Sequence, residues 1–148
     1  RYWLIVQDKQ SNETKKLINF FQKLGSIVEI VNTEYHDKIL AITSHLPHLI
    51  AYTIVGTASD LETDLKNDVI KFSASGFRDF TRIASSDPIM WRDVFLNNSD
   101  AVLEMLQRFN EDLSDLQKAI RKKDGDKLHS FFSRTRSIRK KIIEAGQI

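Results

Sequence analysis

The stretch SIVEIVNTEYHDKILAITSHLPHLI, residues 26 to 50, changes periodicity partway along, and the fold class follows from that change. Its opening, SIVEIV, is a short β-branched run of the kind that suits a strand. From Glu34 onward the strand signals stop, and a long apolar helical pattern runs from His36 to Ala58, interrupted by Pro47. Pro47 has no amide hydrogen and its ring clashes with the carbonyl of Thr43, so the helix kinks or restarts there and frees a carbonyl. Ser44, His45, Pro47 and His48 occupy four of five consecutive positions. Packing alone does not call for that polarity, so a polar partner is expected to face them.

Upstream, YWLIVQ at 2 to 7 is a second β-branched and aromatic run. Between the two, ETKKLINFFQKLG sets Leu17, Ile18, Phe20, Phe21 and Leu24 on one helical stripe and ends at Gly25, suited to a left-handed C-cap. This is a strand-helix-strand unit of βαβ size. Parallel strands are normally covered on both faces, so the unit reads as the last piece of a larger α/β domain.

Downstream the pattern is helical. Leu61, Leu65, Val69 and Phe72 mark a helix over Ser59 to Phe72. A shorter one follows Gly76, and another opens at Asp87-Pro88, where Asp can cap and Pro can take the first helical position. Ser99 or Asn98 can cap the next, whose stripe Val102, Leu103, Leu106, Phe109, Leu113, Leu116 and Ile120 ends near Asp124-Gly125. The last, from Asp126 to about Ala145, carries Leu128, Phe131, Phe132, Ile138, Ile142 and Ile143. The expected fold is mainly α: an all-helical domain over residues 35–148, preceded over residues 1–34 by a strand-helix-strand remnant of a truncated α/β, Rossmann-like domain.

Hydrophobic residues at 41% and charged residues at 28% are globular values. With no cysteine there is no disulfide framework, thiolate metal site or cysteine nucleophile. No run of consecutive apolar residues approaches the roughly 20 of a membrane span, and no signal peptide opens the chain. A soluble, cytoplasmic protein without membrane association is expected. The chain starts at Arg1, directly in an apolar run, and reads as a fragment.

Two stretches carry candidate chemistry. His45 and His48, three apart, project from neighbouring positions on one helix face; such a pair is more often structural than a ligand site. A catalytic zinc needs a third ligand and the HExxH spacing is absent, so no metal site is expected. In SGFRDFTRI at 75 to 83, a helix starting after Gly76 sets Arg78 and Arg82 on one face with Asp79 and Thr81 beside them. Guanidinium groups recognise carboxylates through planar, bidentate contacts; the plainer reading is a solvated Arg-Asp face. Taken together, the histidines and arginines suit a small ligand bearing more than one carboxylate.

The segments HDKILAITSHLPHLIA, from His36, and GFRDFTRIASSDPIMWRD, from Gly76, resemble the prephenate and arogenate (cyclohexadienyl) dehydrogenases of tyrosine biosynthesis. The likeness runs over the whole chain. Ser75 departs from the family's pattern, which often has another glycine there. The resemblance implies NAD(P)-dependent oxidative decarboxylation of prephenate or arogenate. It also implies a helical domain that both binds substrate and forms a homodimer. Carried over, Arg82 anchors a substrate carboxylate and His48 hydrogen-bonds substrate, with His45 close by. Arg78 and Asp79 join the polar network, Gly76 lets backbone approach, and Trp91 reaches into the neighbouring subunit's site. Ser44 is a weaker candidate.

The chain has no GxGxxG loop for a pyrophosphate and no match to the family's general-base histidine, which neither His36 nor His129 supplies. No catalytic residue is therefore assigned in this chain. The cofactor, NAD or NADP, is expected to be bound mainly by the missing N-terminal part, and the isolated fragment is expected to be inactive.

The rival reading is a helical dimerisation or nucleic-acid or partner-binding module. Its basis is RTRSIRKK at 134 to 141, within a segment from Lys118 to Lys141 of net +8 that leaves the remainder at −6. The apolar stripe of that helix, its acidic neighbours and the lack of a nucleic-acid motif weigh against it. No nucleic-acid partner is expected.

Overall fold

The computed structural model describes residues 2–7, 11–61 and 63–146. Strand β1 (Tyr2–Val6), helix α1 (Asn12–Lys23) and strand β2 (Ile27–Val31) form the expected unit, with the strands parallel and Tyr2 through Val6 opposite Ile27 through Val31. Local chemistry sets its corners. The Ser11 side chain caps α1 by accepting from the Thr14 amide, and the Thr14 hydroxyl donates to Gln7 Oε1 at 2.7 Å, tying the end of β1 to the helix start. Gly25 has the left-handed φ of +77° expected of it, a conformation that strains any residue with a Cβ. Phe21 stacks on Trp3 at 3.9 Å between ring centroids, pinning α1 over the sheet.

The long helical segment is three pieces in one run: α2 (Thr33–Leu40), a π turn (Ala41–His45) and α3 (Leu46–Ser59). Asn32 caps α2 by accepting from the Tyr35 amide. The irregularity expected at Pro47 is a one-residue widening just before it. The Leu46 amide reaches back five residues to the Ala41 carbonyl, and Pro47 then occupies the first turn of α3, where its fixed φ suits the helix.

Counted as one helix, Thr33–Ser59 has 27 residues, with a stretch of mean hydropathy 1.4, and by length and composition alone it could cross a membrane. The count of consecutive apolar residues does not register this, because it sees only unbroken runs. The polar interruption from Thr43 to His48 breaks the run without lowering the average enough. Here α3 packs against α5, and Ala41, His45, Leu46 and Ala51 are buried.

The remaining helices are α4 (Thr63–Lys71), α5 (Ser75–Ala84), α6 (Pro88–Asn97), α7 (Ser99–Lys122) and α8 (Gly125–Glu144). Three boundaries differ from the sequence reading. Ser59 ends α3, its hydroxyl donating to the Gly56 carbonyl, so the following helix starts at Thr63. Helix α5 starts at Ser75 rather than after Gly76, and Ser75 has ordinary helical backbone. Between α7 and α8 the left-handed residue is Lys123, at φ 54°, while Asp124 caps α8 and Gly125 already lies in its first turn. A side-chain cap there outranks the glycine as a stop signal.

The chain falls into two compact units, one up to Met105 and one from Leu106. The buried apolar residues of the first include Ala41, Leu46, Ala51, Trp91 and Val102. In the second, Ala119 is buried, and Asp115 on α7 pairs with Lys118 at 3.3 Å and with Lys127 of α8 at 3.7 Å. The Lys118 hydrogen bond, and then the charge of Lys127, hold the Asp115 carboxyl below its ordinary range.

Asp87 Oδ1 accepts from the Ile89 and Met90 amides, both at 2.8 Å, and Pro88 follows as the first residue of α6. Asp87→Ala in the full-length protein is expected to lower stability by about 1 kcal/mol, read as a lower urea midpoint with unchanged slope.

Candidate functional site

The π turn and the first turn of α3 present His45 and His48, and α6 supplies the surface they meet. His48 lies flat on Trp91, with ring centroids 3.7 Å apart and 21° between planes. His45 meets the same indole edge-on at 6.2 Å, and Phe95 lies on at 5.6 Å. Trp91 is 7% exposed, and among the described residues its buried indole Nε1 has no hydrogen-bond partner. The resemblance sends Trp91 into a neighbouring subunit. Within its own chain the Trp91 ring packs on His48, since α6 starts at the Asp87 cap and brings position 91 one turn later beside the first turn of α3.

The two histidines are held differently. His48 Nδ1 faces the Ser44 carbonyl at 2.9 Å. A carbonyl can only accept, so Nδ1 carries a hydrogen, and the other ring nitrogen is an acceptor whenever His48 is neutral. This is the use Ser44 finds, through its backbone rather than its hydroxyl. His45 is 8% exposed, and its Nδ1 lies 3.1 Å from Nδ2 of Asn98, which also donates to the Asp37 carbonyl at 2.9 Å. Burial pushes the His45 pKa below the ordinary imidazole value. Positive charge on His36 or His48 acts in the same direction, and Asp37 opposes it. Beside it, His36 Nδ1 pairs with Asp37 Oδ1 at 3.0 Å.

Asn98 is the residue that sequence reasoning missed. It reads there as one of two possible caps for α7, and its side chain is committed instead to His45 and Asp37. Tyr52 was missed as well; its hydroxyl donates to the Ser86 carbonyl at 2.8 Å, fastening α3 to the segment just before the Asp87 cap. No sequence signal marks either contact, since the partners lie 53 and 34 residues away.

Arg78, Asp79 and Arg82 lie on α5, the helix packed against α3, and all three are exposed. Arg82 Nε is 3.9 Å from Asp79 Oδ1, with both side chains more than two-thirds open, so the pair is loose and solvent-screened. Among the described residues no hydrogen bond or ring contact joins these side chains to the histidine cluster. Gly76 sits in the first turn of α5 with open space where a Cβ would project. The structure thus brings His45, His48 and Trp91 into contact. It leaves Arg78, Asp79, Arg82 and Gly76 as an open polar face on the adjoining helix.

Residues 32–134 match the family model described as prephenate dehydrogenase, dimerization domain. The chain is 38% identical over 123 residues to a cyclohexadienyl dehydrogenase of Zymomonas mobilis, covering 83% of this chain and 42% of that protein. A prephenate dehydrogenase of Bacillus subtilis is 33% identical over 132 residues, covering 89% and 35%. Among solved structures, prephenate dehydrogenase from A. aeolicus, in complex with hydroxyphenyl propionate and NAD+, superposes with a TM-score of 0.86 at 31% identity, covering 95% of this chain and 50% of that one. The chain therefore spans half or less of the length of these relatives, and it belongs to the prephenate dehydrogenase family, with residues 32–134 matching that family's dimerization domain.

Proposed function

We propose that this chain is the substrate-binding and dimerising part of an NAD(P)-dependent dehydrogenase that oxidatively decarboxylates prephenate or arogenate. The observation that carries this reading is the His45–His48–Trp91 cluster, because it unites the two sequence motifs that resemble the family. The packing of α3 on α5 then sets the exposed arginine face on the helix next to those histidines. An aromatic wall, two imidazoles and two exposed guanidinium groups suit a small ring carrying carboxylates.

In this reading Arg82 binds a substrate carboxylate and His48 and His45 contact substrate. Arg78 and Asp79 tune that network, and Gly76 leaves room beside it. Residues 1–34 are the end of the dinucleotide-binding domain, and 35–148 the helical domain. Among the described residues no pyrophosphate cradle is seen: the two helices that follow strands of the sheet, α1 and α2, are entered through the caps Ser11 and Asn32, and the sequence has no glycine-rich loop before either. NAD or NADP accordingly belongs mainly to the part of the protein outside this chain, and the role here is to hold and orient substrate. The parallel β1 and β2, with Tyr2, Trp3, Ile27 and Ile30 exposed, fit the edge of a larger sheet.

A homodimer is supported by the apolar residues that α7 and α8 leave open, among them Leu103, Leu113 and Ile120 on α7 and Phe132 and Ile138 on α8. Isolated exposed leucines need no explanation, but recurring ones along a helix stripe mark a surface to be covered. The Thr33–Ser59 helix is taken as a packed element, the protein as cytoplasmic, and the basic face of α8 as no nucleic-acid site.

Three outcomes follow. In the full-length protein, Arg82→Ala should raise KM for prephenate or arogenate about tenfold or more with a smaller change in kcat; an unchanged KM removes Arg82 from the site. The 148-residue chain alone should form no NADH from prephenate and NAD, and measurable formation would refute the division of labour. By sedimentation velocity at micromolar concentration, the full-length protein should be a dimer that Ile120→Glu shifts toward monomer.

A further inference from the structure

Asn98 has one side-chain amide nitrogen and two acceptors to satisfy. The Asp37 carbonyl, 2.9 Å away, cannot donate, so the NH2 group and not the amide oxygen must face it. The second hydrogen of that group points at His45 Nδ1, 3.1 Å away. An amide nitrogen does not accept, so His45 Nδ1 must, and in a neutral imidazole the proton then resides on Nε2. A backbone carbonyl thus sets the orientation of an amide, and the amide sets the tautomer of a buried histidine. Among the described residues nothing hydrogen-bonds Nε2.

We infer that Asn98 is a positioning residue that holds His45 as a neutral Nε2–H donor, directed to an oxygen acceptor, carboxylate or hydroxyl, on the substrate. The inference deepens the function proposed above and rests on it for the identity of the ligand, but the tautomer itself does not depend on it. Burial supports the neutral state, since His45 resists taking a second proton. It also makes the neighbouring His48 complementary. With its Nδ1 hydrogen on the Ser44 carbonyl, neutral His48 offers an acceptor where His45 offers a donor. The pair can therefore orient a group that a pair of identical tautomers could not.

The test uses the full-length protein labelled with 15N-histidine. Long-range 15N–1H spectra of the wild type should show His45 as the Nε2–H tautomer, assigned by the signal missing in His45→Gln. An Nδ1–H tautomer, or an imidazolium at neutral pH, would overturn the inference, whatever becomes of any variant. Asn98→Asp replaces the donor by an acceptor, and the His45 tautomer should switch to Nδ1–H; an unswitched spectrum would also overturn it.

In steady-state assays the ratio of Asn98→Asp to wild-type KM should stay near one at acid pH, where an imidazolium still donates from Nε2. It should climb roughly tenfold as the pH is raised through the imidazole range. Titratable or charged groups facing His45 are His36 and Asp37 from α2 and His48 from α3, while Trp91 of α6 carries no charge. Taking the ratio to wild type removes their common contribution. A pH-independent ratio would show a merely structural asparagine. A protein with the predicted tautomers but no dehydrogenase activity would sink the proposed function and the assigned ligand while leaving the tautomer lock standing.

Discussion

The hydrogen bond from the Leu46 amide to the Ala41 carbonyl, one residue longer than an α-helical bond, organises the first unit of this protein. It inserts a residue into an otherwise continuous helix, which rotates everything after it by roughly a quarter turn or more relative to an unbroken helix. His45, inside the widened turn, and His48, one turn on, can then meet Trp91 with different faces, one edge-on and one stacked. Pro47 suits the arrangement, because its fixed φ falls in the first turn of α3. Widened turns of this kind recur at functional sites, and this one lies in the segment where polar residues interrupt an apolar helix.

Around that turn the structure holds polar groups at a cost in stability. A buried histidine, a buried indole nitrogen without a partner and an asparagine shared between two acceptors occupy space that apolar side chains would fill with less desolvation. The surrounding anchors are ordinary by comparison: the Asp87 cap, the Tyr52 hydroxyl on the Ser86 carbonyl, and the packing of α3 on α5. Their shared effect is to fix α6 and α5 relative to the histidines. A substrate-orienting site needs its side chains held to within fractions of an ångström by neighbours that do not themselves touch substrate.

Much of this was legible in the sequence. The strand-helix-strand opening, the switch to helices at residue 34, the Gly25 stop, the Asp87-Pro88 start and the break at Pro47 all follow from local rules that act over one or two turns. Misplaced boundaries arose where two local signals competed. Asp124 against Gly125 decided the start of α8, and Ser59 looked like the beginning of a helix when it is the end of one. The averaged apolarity of Thr33–Ser59 escaped a reading that counted only unbroken runs.

What the sequence determined by itself, then, is the element order, the family and the identity of the two polar motifs, because each depends on residue types at short and fixed spacing. What the tertiary structure decided is which of those residues touch. Trp91 lies on His48 of its own chain, the Asn98 side chain spans to His45 and Asp37, and the arginines of α5 stand open on the adjoining helix. Spacing along a helix fixes the direction of a side chain but not what approaches it. The partners here arrive from 34 to 61 residues away, through packing that no local pattern encodes.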